Sequence, residues 1–115
     1  MPFTTAYNKW DVVLVSFPFT DFSSDKRRPA LVVSPDYFNT GHDVVIAFVT
    51  SQLSSLPRLT DYHLQHWQEA GLPKPSMVRM KFATVDKSII VKKLGKLNSG
   101  DRDALQEILV TFFSS

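Results

Sequence analysis

The chain has 115 residues, 43% of them hydrophobic and 21% charged, with no cysteine. That length gives one domain a core of its own, and the composition excludes a disordered chain, a disulfide scaffold and any thiolate metal site. Thirteen lysines and arginines against eleven acidic residues leave a formal charge of +2, a balance that admits polyanionic partners without demanding them.

Residues 1–9 read as a polar lead-in without the long apolar run of a signal peptide, and no segment approaches membrane-spanning length. The expected location is therefore the cytoplasm. Residues 11–19 are nearly continuous in apolar side chains and predict a strand, with Pro18 marking an end, a bend or an edge. A polar loop over 20–27 carries the Asp and Ser residues of turns. Then Lys26, Arg27 and Arg28 run straight into a short apolar segment bounded by Pro29 and Pro35. Each proline fixes its own φ, lacks a donor and pushes the residue before it toward extended geometry. A strand is predicted over 30–34, with Arg28 held at its mouth, where a cation can be aimed. The plainer reading of such a cluster is a solvated stretch that blunts a sheet edge.

Residues 36–43 predict a turn-rich connection with one helical turn closing at Gly41. Residues 44–50 form the third strand, ending in Thr50, Ser51 and Gln52, and 53–59 is loop punctuated by Pro57. A brief extended piece over 61–64 leads to a turn at 67–73. Met77, Val78 and Phe82 mix with cations in a strand over 76–82, and a turn over 83–88 opens the next strand, 89–94. Asn98, Ser99 and Asp101 offer capping side chains, with Asp101 and Asp103 suited to the positive start of a helix. Leu105, Ile108, Leu109 and Phe112 give that helix one apolar face. Phe112 and Phe113 are expected on different sides, which would allow a share in a dimer contact. Five or so short strands with one terminal helix argue for a mainly β, curled, barrel-like domain whose helix covers an open end or edge.

Should the strands over 30–34 and 44–50 pair as antiparallel neighbours, Arg28 and Thr50 would meet at one end of the sheet. A guanidinium beside a hydroxyl on rigid strand ends is a sensible phosphate holder; the alternative is that Thr50 and Ser51 merely cap a turn. His42, His63 and His66 lie in connections and read as surface or structural groups. The spacing of His63 and His66 has no cysteine or acidic cluster to make it a metal site. Trp10 and Trp67 read as core or interface anchors.

The segments 10–19, 26–34 and 49–52, followed by 71–76 and 94–97, resemble in order the blocks of the MazF/PemK (Kid) family of toxins, across roughly residues 10–109. The resemblance implies a small SH3-like β-barrel of about five to seven strands with a C-terminal α-helix, spanning 1–115 as one domain. It further implies a homodimer and a toxin of a type II toxin–antitoxin system, restrained by a cognate antitoxin protein. Such a toxin is a sequence-selective endoribonuclease acting on single-stranded mRNA without metal or cofactor. By the same resemblance Arg28 and Thr50 fall at catalytic positions, and Arg79 at that of a functional arginine in Kid-type members.

RNA carries its own nucleophile in the 2′-hydroxyl, so the protein must assist deprotonation, stabilise phosphorane charge and allow the 5′-oxygen to leave. Arg28 would be the electrostatic clamp; an acid role suits it less, because arginine stays charged. Thr50 would hold a phosphoryl oxygen or orient the 2′-hydroxyl. Lys26, Arg27, Ser51, Gln52, Arg79 and Lys81 would contact the RNA strand. The chain departs from the Kid pattern at Lys81, where those members carry an aspartate, and no histidine falls in a matching block. Asp25 is the remaining candidate base. Those departures keep open two alternatives: a gyrase-poisoning module like the CcdB toxins, and an RNA-binding domain that does not cut.

Overall fold

The computed structural model describes residues 6–17, 26–53 and 60–115, with the backbone alone for Lys26. Its strands are β1 (Asp11–Phe17), β2 (Lys26–Val32), β3 (Asp43–Thr50), β4 (Tyr62–His63), β5 (Met77–Asp86) and β6 (Ile90–Lys96), followed by helix α1 (Ser99–Ser114). They form one antiparallel sheet in the order β4-β5-β3-β2-β1-β6. The two outer strands do not pair with each other, so the barrel-like sheet stays open. Register shifts in β1–β6 and β3–β5 bend it.

Successive strand residues face opposite ways, and here both faces are buried. Val13, Val15, Ala30, Val32, Val44 and Ile46 belong to one core cluster. Val12, Leu31, Ala47, Val49 and Val78 belong to a second, which takes in Leu64, Leu72, Leu97 and Leu105 from outside the sheet. Two covered faces explain why β1 and β3 read as nearly unbroken apolar runs rather than as alternation.

The elements differ from expectation in three informative places. Strand β2 begins at Lys26, so the basic run is part of the strand; β1 pairs with it from Lys26 onward, whereas β3 pairs with it only from Ala30. Pro29 thus sits where only the β1 side of the ladder has formed, a position that tolerates a missing donor. Strand β5 runs on to Asp86, because Thr84 and Val85 continue the ladder with Val45 and Val44. The turn comes later, where the Asp86 carboxylate accepts the Ser88 N–H at 2.8 Å. Finally, Phe112 and Phe113 do not diverge. Their ring centroids lie 5.0 Å apart, edge to face, and both rings stand within 6 Å of Phe82 on β5, at 5.9 and 5.1 Å. The helix outruns its buried stripe of Leu105 and Leu109, and its last apolar residues gather on the one ring within reach. Pro18, Phe19, Asp25 and Pro57 lie outside the described residues.

Two contacts fix the parts around the sheet. Asn98 caps α1 by accepting the Gly100 N–H at 2.8 Å, and the buried Asp101 carboxylate accepts from the Tyr62 hydroxyl and the Gln65 and His66 N–H groups at 2.6, 3.0 and 2.9 Å. One carboxylate therefore ties the helix start to β4 and the segment beyond it. Burial, and then the neighbouring Asp101, raise the Tyr62 phenol to about 12. The second contact is a close backbone approach between Gly71 and β6. A Cβ on Gly71 would lie 2.0 Å from the Leu94 carbonyl oxygen, and one on Gly95 would lie 2.6 Å from Ala70 backbone. Gly71 also has φ +82, which only glycine adopts freely.

Gly71→Ala and Gly95→Ala should each lose stability, on the order of 1–3 kcal/mol or more from overpacking, while Gly41→Ala stays close to wild type; urea unfolding measures all three. Gly41 provides the contrast because its added Cβ would meet only Phe38 O at 3.7 Å. Tyr62 has a folded-state pKa above its unfolded one, so its contribution is complete below about pH 10 and fades as pH rises toward about 12. Stability of Tyr62→Phe should therefore fall less steeply than wild type across that window, when unfolding is followed against pH.

Candidate nucleic-acid interface

The β2–β3 ladder pairs Ala30 with Phe48, Leu31 with Ala47 and Val32 with Ile46. Beyond Ala30 and Phe48 the ladder ends, but continuing its register by two residues points Arg28 toward Thr50. The two groups come from positions 22 apart in the chain, yet both line one cleft of about 500 Å³. Arg27, Ser51 and Gln52 line it as well. Leu14, Pro29, Val49, Leu72 and Leu94 make its apolar floor and sides.

Thr50 is half-buried, and its Oγ1 accepts the Gln52 N–H at 3.1 Å. A hydroxyl carries one donor beside its acceptor sites, so Thr50 keeps a proton to donate to a ligand. The cations at this cleft are Arg27, Arg28, Lys74 and Lys92, all exposed, and none is ion-paired with a described residue. Among the described residues the lining holds no carboxylate and no imidazole. Unpaired donors on an apolar floor suit a weakly hydrated anion with flat, apolar neighbours, as a nucleotide offers. A hollow of about 570 Å³ between residues 60–61 and the end of α1 has the opposite character. Among the described residues Asp61 and Glu107 line it and no cation does.

Two of the sequence-predicted RNA contacts lie away from this cleft. Arg79 pairs with Asp61, Nη1 to Oδ2 at 3.7 Å, with the Arg79 side chain 14% and the Asp61 side chain 2% exposed. Lys81 sits 5.2 Å from the centre of the Phe48 ring, which packs on the cluster holding Val13 and Ala30, and neither residue lines the cleft. The Lys26 side chain and Asp25 lie outside the described residues. His42, His63 and His66 are exposed, with His66 Nδ1 3.2 Å from Glu69. Trp10 and Trp67 pack against the second core cluster.

Sequence reasoning missed Lys74 and Lys92. Lys74 lies within the segment 71–76 and Lys92 just before 94–97, both singled out by the family pattern, but no local signal ties them to Arg28. Lys92 reaches the cleft because β6 pairs with β1, Leu14 to Lys92, while Leu14 also pairs with Pro29. Lys74 reaches it because the Gly71–Gly95 approach draws its turn onto β6.

The sequence matches the family described as PemK-like, MazF-like toxin of type II toxin–antitoxin system over residues 8–113. Solved structures share the fold. One is an endoribonuclease from a mycobacterial species in complex with its cognate antitoxin, 18% identical with a TM-score of 0.74, the match covering 96% of each chain. Another is MazF from Deinococcus radiodurans, 19% identical with a TM-score of 0.72, covering 97% of this chain and all of that one. A third is the Mycobacterium tuberculosis toxin MazF-mt6, 20% identical with a TM-score of 0.68, covering 90% of this chain and 96% of that one. A comparison with curated proteins gives no match.

Thr50→Val removes the hydroxyl while keeping the side chain's shape. It should weaken binding of a labelled single-stranded deoxy-oligonucleotide roughly ten- to a hundredfold, as one lost hydrogen bond to a charged group implies, and Thr50→Ser should restore it. Fluorescence anisotropy measures both.

Proposed function

The chain belongs to the PemK-like, MazF-like toxins of type II toxin–antitoxin systems, and from that premise we propose that it is an endoribonuclease cutting single-stranded mRNA at selected sequences. The observation that supports this most directly is the convergence of Arg28 and Thr50 on one cationic cleft. A diester phosphate seated there would lie between a guanidinium and a hydroxyl donor.

In the reaction we propose, the 2′-oxygen attacks the adjacent phosphorus and the bond from phosphorus to the 5′-oxygen breaks. The 2′-hydroxyl proton is lost, the departing 5′-oxygen gains one, and no water is consumed. The products are a cyclic phosphate and a 5′-hydroxyl. Arg28 stabilises the charge that grows on the phosphoryl oxygens, the contribution expected to dominate when donors are preorganised. Thr50 donates to a second oxygen and fixes the phosphate's rotation. Arg27, Ser51 and Gln52 steady the neighbouring sugar and phosphate. The nucleophile and leaving group belong to the RNA itself, so the reading carries the expectation of cutting in EDTA.

The cognate partner in this proposal is an antitoxin whose acidic, partly disordered segment folds over the cationic cleft and excludes RNA. The endoribonuclease from a mycobacterial species in complex with its cognate antitoxin offers the structural parallel. A homodimer is also part of the proposal, supported by Val110, Phe112 and Phe113, which are 54%, 43% and 66% exposed. No helix among the described residues is long and apolar enough to cross a membrane. We assign the protein to the cytoplasm, where mRNA is found.

The deciding measurement is end-mapping on a mixed RNA pool treated with EDTA. Wild type should leave cyclic phosphate and 5′-hydroxyl ends, a 2′-deoxy substitution at the cut nucleotide should abolish cutting, and Arg28→Ala should lower the rate by about 10²–10³-fold with the fold retained. Undiminished cutting by Arg28→Ala would reject the mechanism. Intact RNA together with inhibition of a topoisomerase would favour the gyrase-poisoning alternative.

A further inference from the structure

The cleft holds more positive charge than one phosphate can use. Arg27 and Arg28 stand on β2, while Lys74 and Lys92 stand across from them on the 71–76 turn and β6. A phosphodiester carries a single negative charge, so a dinucleotide would leave most of this charge facing itself at close quarters. Gathering four exposed cations around one hollow, with no carboxylate on its described lining, is electrostatically unfavourable unless the ligand brings several charges of its own.

The walls also differ in position. Leu14 pairs with Pro29 on one side and with Lys92 on the other, so the backbones of Lys92 and Pro29 lie about 10 Å apart, two strand spacings. Arg28 stands on the Thr50 side of β2, and Lys92 stands on the far side of β1. The turn carrying Lys74 packs backbone to backbone on β6, since a side chain on either Gly71 or Gly95 would collide with backbone of the facing segment.

From this geometry we infer that Lys74 and Lys92 are positioning residues for phosphates flanking the one at Arg28 and Thr50, so that the cleft takes an RNA strand of several phosphodiesters and discriminates against a dinucleotide. The inference rests on the nuclease reading for the identity of the central phosphate. Its own content is the lysine wall and the length of strand it requires.

The test separates the two. Binding of a labelled, random-sequence, single-stranded deoxy-oligonucleotide pool, which lacks the 2′-hydroxyl, is followed by anisotropy across a salt series for wild type, Lys92→Gln, Lys74→Gln and Lys92→Arg. Arg102→Gln removes a cation outside the cleft and serves as the control. The slope of log affinity against log salt should shrink by about 0.7 for each lysine lost, the value for one single-strand phosphate contact. It should return in Lys92→Arg and stay unchanged in Arg102→Gln, and a dinucleotide should bind all five proteins equally weakly. Slopes in Lys92→Gln and Lys74→Gln equal to wild type would overturn the inference, as would an equal loss in Arg102→Gln or failure of wild type to bind the pool. Cleavage of an RNA pool by the same preparations tests the nuclease reading separately. Unchanged slopes with cutting present reject the lysine wall alone, and reduced slopes without cutting reject the nuclease alone.

Discussion

Pairing of β2 with β3 is the constraint on which the site depends. Antiparallel partners hold a constant sum of residue numbers, and the ladder from Val32–Ile46 to Ala30–Phe48 fixes that sum. Once it is fixed, Arg28 and Thr50 leave the ladder at the same end of the sheet and line one cleft. The register in turn is held by the two core clusters, because a slip of one residue would exchange Leu31 and Ala47 with Val32 and Ile46 between opposite faces. Burial of both faces therefore does for the site what a hydrogen bond between the two residues would otherwise have to do.

Around this centre the chain uses polar groups sparingly. The buried Asp101 collects three donors and docks α1 on the segment after β4, and the Lys93–Asp11 pair at 3.2 Å closes the β1–β6 edge. The buried pair of Asp61 and Arg79 holds the approach to β4 against β5. Each of these is neutralised where it stands. The cleft cations are not, and charge left exposed and unpaired near an apolar floor is what distinguishes a ligand surface from structural electrostatics.

The glycine contact between the 71–76 turn and β6 gives the cleft its second wall. Without it the sheet would present Arg27 and Arg28 on an open surface, screened by solvent. With it, the cations line a hollow of about 500 Å³ and can approach one ligand from two walls. A family of toxins that act on nucleic acid and are silenced by a partner needs a surface of this kind, concave enough to be covered.

Much of this was legible in the sequence because it is local. The strands announce themselves by apolar runs, α1 by the cap at Asn98 and the stripe through Leu105 and Leu109, and Arg28 by its place before Pro29. The pairing of neighbouring strands in chain order was enough to bring Thr50 to it. What the sequence could not carry were the outcomes of long-range competition. Arg79 reads as a free strand cation until Asp61, from another segment, approaches within 3.7 Å. Lys92 carries no site signal in the sequence and comes to the cleft only because β6 pairs with β1 and Gly71 meets Gly95. Propensity and patterning act over a few residues, so they determined the elements, while Arg28 and Thr50 came to one cleft only through the pairing of β2 with β3. Which cations are neutralised and which face the cleft depends on the distances between segments far apart in the chain, and only the tertiary structure decided those.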